Sequence, residues 1–131
     1  MKIVVVLKKN MKDKYKKYID YIVNDIELPY LKYLNMYGLK HNEMKLVLSK
    51  VFNEAVIVRN NYVYNSNNNN LIYREDSDGY WIKREYDANG NVIYGENSDG
   101  DWIKREYDTN GNTIYCEYSD GVIEDNRVVI I

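Results

Sequence analysis

The chain has 131 residues, of which 45% are hydrophobic and 29% are charged, and its formal net charge is -2 at pH 7. This length is typical of one domain with a modest core, so we expect a single compact body. The composition excludes an internal disulfide, and no segment approaches the roughly 20 apolar residues of a membrane span. The lone Cys116 and the absence of a recognisable export signal predict a cytoplasmic protein.

Charge and aromatic residues are distributed unevenly. Residues 1–60 carry twelve Lys and Arg against six Asp and Glu, whereas residues 61–131 carry six against fourteen. Fifteen of the eighteen aromatic residues are tyrosine, whose side chain combines a flat apolar ring with a hydroxyl that can remain in water. Because tyrosine is enriched at protein interfaces, this composition favours an interaction protein.

After the opening run, the predicted elements of the first half are helical. Residues Lys12 to Glu27 place apolar side chains at helical spacing and predict an amphipathic helix. Pro29 ends it and starts a second, shorter helix, which Gly38 can close in a left-handed conformation. A third helix is predicted after an N-cap at Asn42, and strand character begins at residues 55–58. The buried stripe of the third helix is predicted to comprise Met44, Val47, Leu48 and Val51.

The helical part allows two interpretations. The favoured one is a small helical cap packed against a sheet. Two short helices joined around Gly38, in a basic half of the chain, also resemble a winged helix-turn-helix reader of DNA. The candidate recognition helix has only Lys45 and Lys50 as basic residues, and its interior lacks the Arg, Asn or Gln that reads base edges. A small DNA-binding regulator is therefore the alternative function.

The second half is an internal repeat with a period of 21 residues. The unit at residues 77–97 and its successor at residues 98–118 differ at only five of 21 positions. A decayed copy, with strands at residues 62–65 and 71–75, precedes them, and a truncated copy follows with Ile123 in the tryptophan position. The tripeptide Ser-Asp-Gly marks the period at residues 77–79, 98–100 and 119–121.

Each unit predicts two short antiparallel strands separated by turns. The turn at residues 87–90 is either a type I turn with a bulge, in which Asp87 accepts from backbone N–H groups and Gly90 is left-handed, or a two-residue Asn-Gly turn. The two differ by one residue in register, which exchanges the faces of a strand and leaves the sheet faces open. Within one strand the alternation is fixed, with Trp81, Lys83 and Glu85 on one face and Ile82, Arg84 and Tyr86 on the other.

The predicted organisation is α+β. An N-terminal helical unit of about three helices, residues 1–57, is followed by an antiparallel β-meander of tandem 21-residue hairpin repeats, residues 58–131. The opening run Lys2 to Leu7 adds a strand, unless Met11 is the natural start.

The repeat resembles known sequences. The strings YDANGNVIY and YDTNGNTIY resemble the tyrosine-aspartate hairpin repeats of RHS-type proteins. They more closely resemble W-x-K-R-E-Y-D-x-N-G-N-x-I-Y repeats in small proteins of phages and mobile elements. The resemblance covers about residues 62–123 and implies β-hairpin repetition. It also implies a phage setting, in which inhibitors of host defence, including anti-CRISPR proteins, are a recurring role.

The sequence predicts a protein that is not an enzyme and binds no metal or cofactor. The only histidine, His41, lies beside Lys40 and Asn42 without a nucleophile or metal-ligand pattern. The Asp- and Gly-rich turns lack the closing Glu that an EF-hand calcium loop requires. Carboxylate pairs such as Glu85 and Asp87 adjoin lysine and arginine, as in a solvated strand ladder.

We therefore predict a non-enzymatic protein-binding module of the anti-CRISPR type, a phage-encoded inhibitor of a host defence nuclease. Its acidic, aromatic repeat sheet is expected to dock on a basic protein surface. Neither direct nucleic-acid binding nor a membrane partner is expected, and homo-oligomerisation through sheet edges is left open. The candidate partner-binding residues are Trp81, Trp102, Arg84, Arg105, Tyr86, Tyr107, Glu85 and Glu106.

Overall fold

The computed structural model describes residues 23–24 and 26–128, which form an α+β fold. In this part of the chain, helices α1 (Tyr30–Met36) and α2 (His41–Phe52) precede eight strands in chain order. The strand pairs described below are antiparallel, so the predicted α+β class with a β-meander is confirmed. The strands are β1 (Val56–Arg59), β2 (Tyr62–Asn65), β3 (Leu71–Glu75), β4 (Trp81–Tyr86), β5 (Val92–Asn97), β6 (Trp102–Tyr107), β7 (Thr113–Tyr118) and β8 (Ile123–Asp125).

The chain divides into two compact units, residues 1–69 and residues 70–131. The first unit contains α1, α2, β1 and β2, and the second contains β3 to β8. The boundary lies in the asparagine-rich tract after β2, beyond the helix-to-strand transition that marks the sequence-based boundary at residue 57. The predicted repeats 77–97 and 98–118 therefore lie wholly within the second unit.

A left-handed glycine separates the two helices of the first unit. Gly38 has φ of +70°, and its N–H donates to the carbonyl of Asn35 at 3.0 Å. The N–H of Leu39 donates to the carbonyl of Leu34 at 3.4 Å, which closes the last turn of α1. The predicted helix end at Gly38 is therefore confirmed. The most deeply buried apolar side chains of this unit are Leu34, Val47, Leu48, Val56 and Val63.

The start of α2 corrects a sequence prediction. The N-cap predicted at Asn42 is wrong, because Lys40 is the capping residue and the helix begins at His41, two residues earlier than predicted. The carboxylate of Glu43 accepts a hydrogen bond from the backbone N–H of Lys40 at 2.9 Å, so the first turn supplies its own cap. Most of the predicted first helix, Lys12 to Glu27, and all of the predicted strand Lys2 to Leu7 lie outside the described residues.

The strand pairing of the second unit repeats with the sequence. In the pairing of β4 with β5, Ile82 lies opposite Asn97, and in the pairing of β6 with β7, Ile103 lies opposite Tyr118. Every other pair of the first hairpin likewise recurs 21 residues later in the second hairpin. Both hairpins contain a one-residue register shift near the turn, which locally bends and twists the strands.

The turn at residues 87–91 resolves the register that the sequence left open. The N–H of Asp87 donates to the carbonyl of Asn91 at 2.9 Å, and the N–H of Gly90 donates to the carbonyl of Asp87 at 3.1 Å. Gly90 has φ of +84°, whereas Asn89 does not have the positive φ that a two-residue Asn-Gly turn requires. One carboxylate oxygen of Asp87 also accepts from the N–H groups of Asn89 and Asn91, both at 2.9 Å. The turn is therefore of type I with a glycine bulge.

The Ser-Asp-Gly turns are of the same kind. The first N–H of each turn donates to the carbonyl four residues later, and the glycine N–H donates back to the first carbonyl. All glycines in these turns have positive φ. The Asp-x-Asn-Gly and Ser-Asp-Gly turns differ in sequence, yet they form the same type of hairpin turn. The turns begin at residues 76, 87, 97, 108 and 118, so their spacing alternates between eleven and ten residues.

Two glycine substitutions test the turn geometry. Gly90→Ala is expected to lower the free energy of unfolding by about 1 to 2 kcal/mol, because a Cβ is disfavoured in the left-handed region. Gly95 in β5 is the matched control, because its φ is ordinary and an added Cβ would make only van der Waals contacts, the nearest at 3.7 Å. Gly95→Ala is expected to raise the free energy of unfolding by roughly 0.5 to 1 kcal/mol, because glycine weakens a strand interior. Urea denaturation measures the free energy of unfolding of both variants. Equal changes of the same sign in the two variants would contradict the assigned turn.

Candidate functional site

The observed register assigns the strand residues of the second unit to two faces. Directly opposite residues on neighbouring strands point to the same side of a sheet. Lys83 lies opposite Glu96 and Glu85 lies opposite Tyr94, so these four side chains share a face. We call it the tryptophan face; it comprises Tyr73, Glu75, Trp81, Lys83, Glu85, Tyr94, Glu96, Trp102, Lys104, Glu106, Tyr115, Glu117, Ile123 and Asp125.

The opposite side of the sheet has the opposite charge. Its strand positions carry three arginines and a single carboxylate, that of Glu124, whereas the tryptophan face carries six carboxylates and two lysines. The remaining acidic residues of the unit, all aspartates, lie in the turns. We call this side the arginine face; it comprises Arg74, Ile82, Arg84, Gly95, Asn97, Ile103, Arg105, Cys116, Tyr118 and Glu124.

The eight predicted partner-binding residues do not all lie together. Arg84 and Arg105 are on the arginine face. The hydroxyl of Tyr86 donates to the carbonyl of Leu71 at 2.6 Å, and Tyr107 makes the equivalent bond at 2.7 Å one unit later. These two hydroxyls therefore tie neighbouring strands together. The structure brings together only the other four on the tryptophan face, namely Trp81, Glu85, Trp102 and Glu106.

Both indoles of the tryptophan face are paired with a lysine of the same strand. The Nζ of Lys83 lies 5.4 Å from the ring centroid of Trp81, and that of Lys104 lies 5.0 Å from the centroid of Trp102. An exposed cation–π contact of this kind contributes about 0.5 to 1 kcal/mol. Both indoles are half-buried, so each ring is held in place while part of it remains accessible.

Tyrosine and glutamate pairs lie on the intervening strands. On β7 the hydroxyl of Tyr115 donates to the carboxylate of Glu117 at 2.9 Å. On β5, burial and the neighbouring carboxylates of Glu96 and Glu85 raise the pKa of Tyr94 above its ordinary value. The site prediction omitted these tyrosines, although the repeated x-Ile-Tyr-x-Glu strand and the 21-residue period could have identified them.

Arg127 is held on the tryptophan face just after β8. Its guanidinium carbon lies 4.2 Å from the ring centroid of Tyr115. Two guanidinium nitrogens donate to the two carboxylate oxygens of Asp125 at 2.9 and 2.8 Å, and a third interaction reaches Glu106 at 3.2 Å. Such a fork is the strong, oriented form of arginine binding. The sequence signal for it is the truncated copy, which has Asp and Arg where the earlier units have Lys and Glu.

The contact between Arg127 and Asp125 predicts a pH dependence. Hydrogen bonds from Arg127 lower the pKa of Asp125 from 3.8 to about 2. Because this pKa is lower in the folded state, the stabilisation is complete above the unfolded pKa and is lost as the pH falls from about 4 towards 2. In Arg127→Ala the pKa of Asp125 is expected to return towards 3.8. A carboxyl-carbon NMR titration measures it, with Arg84→Ala as the control, and an unchanged pKa in Arg127→Ala would contradict the contact.

No protein-family model and no curated protein matches the chain. Within residues 23–24 and 26–128, no group of three or more His, Cys, Asp or Glu side chains is placed to hold a metal ion. None of the described helices is long and apolar enough to cross a membrane.

Proposed function

We propose that the chain is a non-enzymatic protein-binding module that docks the tryptophan face on a basic protein surface. The observation that carries this proposal is the segregation of charge between the two faces. The tryptophan face combines two indoles with six strand carboxylates, whereas the arginines of the strands lie on the opposite side. Complementary charge would speed association and fix orientation, and the aromatic rings would supply anchoring energy.

The exposure of the sheet supports this proposal. Among the residues of strands β4, β5, β6, β7 and β8, Cys116 is the one that is buried, and the others are half-buried or exposed. The tryptophan face therefore presents aromatic side chains that its own unit covers only in part. Partly accessible aromatic side chains are enriched at surfaces that bind another protein.

The chemistry of the partner follows from the resemblance of the repeat. Similar repeats occur in small phage proteins, among which inhibitors of host defence recur. The nucleic-acid channel of a defence nuclease is a basic protein surface, because it must neutralise phosphates. The proposed inhibitor, of the anti-CRISPR type, would present its carboxylates to that channel in place of the phosphates. Catalysis is not part of this role.

Paired substitutions on the two faces test the docking. Trp81→Ala with Trp102→Ala is expected to weaken partner binding at least about tenfold, because buried tryptophans dominate interface energies. Arg84→Ala with Arg105→Ala is the matched control on the arginine face and is expected to retain binding. Affinity capture from host lysate followed by a binding isotherm with the captured nuclease measures both, after circular dichroism has verified folding. Full-strength binding by the tryptophan variant would rule the proposal out.

A second candidate is a small DNA-binding regulator that uses the first unit. The order α1, α2 and the hairpin of β1 with β2 is that of a winged helix-turn-helix, and Lys45 and Lys50 on α2 are exposed. A mobility-shift series in rising salt distinguishes the two functions. Phosphate contacts give an affinity that falls steeply with salt, whereas a module that only docks on protein is expected to give no shift.

A further inference from the structure

We propose that the tryptophan face contains a subsite for an arginine side chain of the partner protein, formed by the ring of Tyr94 with the carboxylates of Glu85 and Glu106. This inference rests on the proposed function, because it names the chemistry that one point of the docking face recognises. The subsite is the counterpart, one unit earlier, of the place where the chain binds its own Arg127.

The contacts of Arg127 show how this sheet holds a guanidinium. The guanidinium carbon lies 4.2 Å from the ring centroid of Tyr115. Glu106, directly opposite Tyr115 on the neighbouring strand, accepts from the guanidinium at 3.2 Å. On this face an arginine is therefore held by an aromatic ring, by the carboxylate opposite that ring and by a second carboxylate, that of Asp125, at 2.8 Å.

The 21-residue period transfers this arrangement to the preceding unit. Tyr94 is the equivalent of Tyr115, and Glu85 is the equivalent of Glu106. Glu85 lies directly opposite Tyr94, as Glu106 lies opposite Tyr115. The ring and its neighbouring carboxylate are thus present in the same register at both places.

The two places differ in the residue that would fill them. The equivalent of Arg127 in the preceding unit is Glu106, so the repeat itself places no guanidinium over Tyr94. Glu106 also adds a carboxylate to that place: one of its oxygens accepts from Arg127 at 3.2 Å, and the other forms no hydrogen bond among the described residues. The equivalent of Asp125 is Lys104, which lies opposite Tyr94, and its ammonium is held 5.0 Å from the ring centroid of Trp102.

The surface above Tyr94 has room for a side chain. An open depression of about 590 Å³ extends from Tyr94 to the bound Arg127, and its lining also includes Glu85, Lys104, Arg105, Glu106 and Tyr115. Glu85 is exposed and forms no ion pair among the described residues. A guanidinium suits this place better than an ammonium, because its plane can stack on the ring while its edges reach a carboxylate on either side.

A titration of the full chain with a blocked amino acid tests the subsite directly. N-acetyl-arginine amide is expected to shift the ring resonances of Tyr94 in a saturable way, with an affinity on the order of millimolar, as a single surface contact allows. N-acetyl-lysine amide is expected to bind several-fold more weakly. The ring of Tyr115 is the internal control, because Arg127 covers it. A non-saturable response of Tyr94, or equal responses to both probes, would overturn the proposal.

Three substitutions sharpen the result. Arg127→Ala is expected to make Tyr115 respond to the arginine probe as Tyr94 does. Glu106→Arg places an arginine at the position equivalent to residue 127. It is expected to abolish the response of Tyr94, because the chain's own guanidinium would then cover the ring. Glu124→Gln, on the arginine face, is the matched control and is expected to leave that response unchanged. An undiminished response in Glu106→Arg would contradict the subsite.

The test distinguishes this inference from the proposed function. The titration needs no partner protein, so it reports on Tyr94 even when no nuclease is captured. Loss of capture in the tryptophan variant without any arginine response would overturn the subsite and leave the docking proposal standing. A saturable arginine response with full-strength capture by the tryptophan variant would overturn the docking proposal and leave an arginine-binding site at Tyr94.

Discussion

The hairpin array depends on a left-handed glycine at the fourth position of each turn. That conformation costs little for glycine and allows the turn to close over three residues, which sets which residues of successive strands lie opposite one another. A shift of one residue in the pairing of β4 would move Trp81 to the arginine face and Arg84 to the tryptophan face. The separation of an acidic, aromatic face from a basic face is therefore a consequence of backbone geometry in the turns.

With the faces fixed, pairwise contacts rather than a deep core hold the array together. Lys83 lies opposite Glu96, and Lys104 lies opposite Glu117, so charges of opposite sign meet at equivalent points. Such cross-strand pairs contribute roughly 0.2 to 1 kcal/mol each. A sheet stabilised in this way can leave much of both faces in contact with water. The surface proposed to bind a partner is thus a by-product of how the sheet is stabilised.

The sequence predicted the parts of the structure that depend on local chemistry. The strands Trp81–Tyr86 and Leu71–Glu75 follow from alternation and flanking turns, and their predicted bounds agree with the structure. The sequence leaves the turn type open, because both candidates satisfy the same Asn-Gly signal and only backbone hydrogen bonds distinguish them. The truncated copy marks Arg127 as a departure from the repeat, but its partners do not follow from the sequence, because they lie on three strands whose register the sequence leaves open.

Each unit contains two antiparallel strands, so the first strand of a further copy would start at the same end of the sheet and run in the same direction as the first strand of the unit before it. Neighbouring strands are about 4.8 Å apart, and each copy therefore advances the pattern by roughly 10 Å. Duplication or loss of a single unit would lengthen or shorten the array without changing the strand direction or the two faces of the remaining units. The length of the face proposed to bind a partner is therefore set by copy number alone.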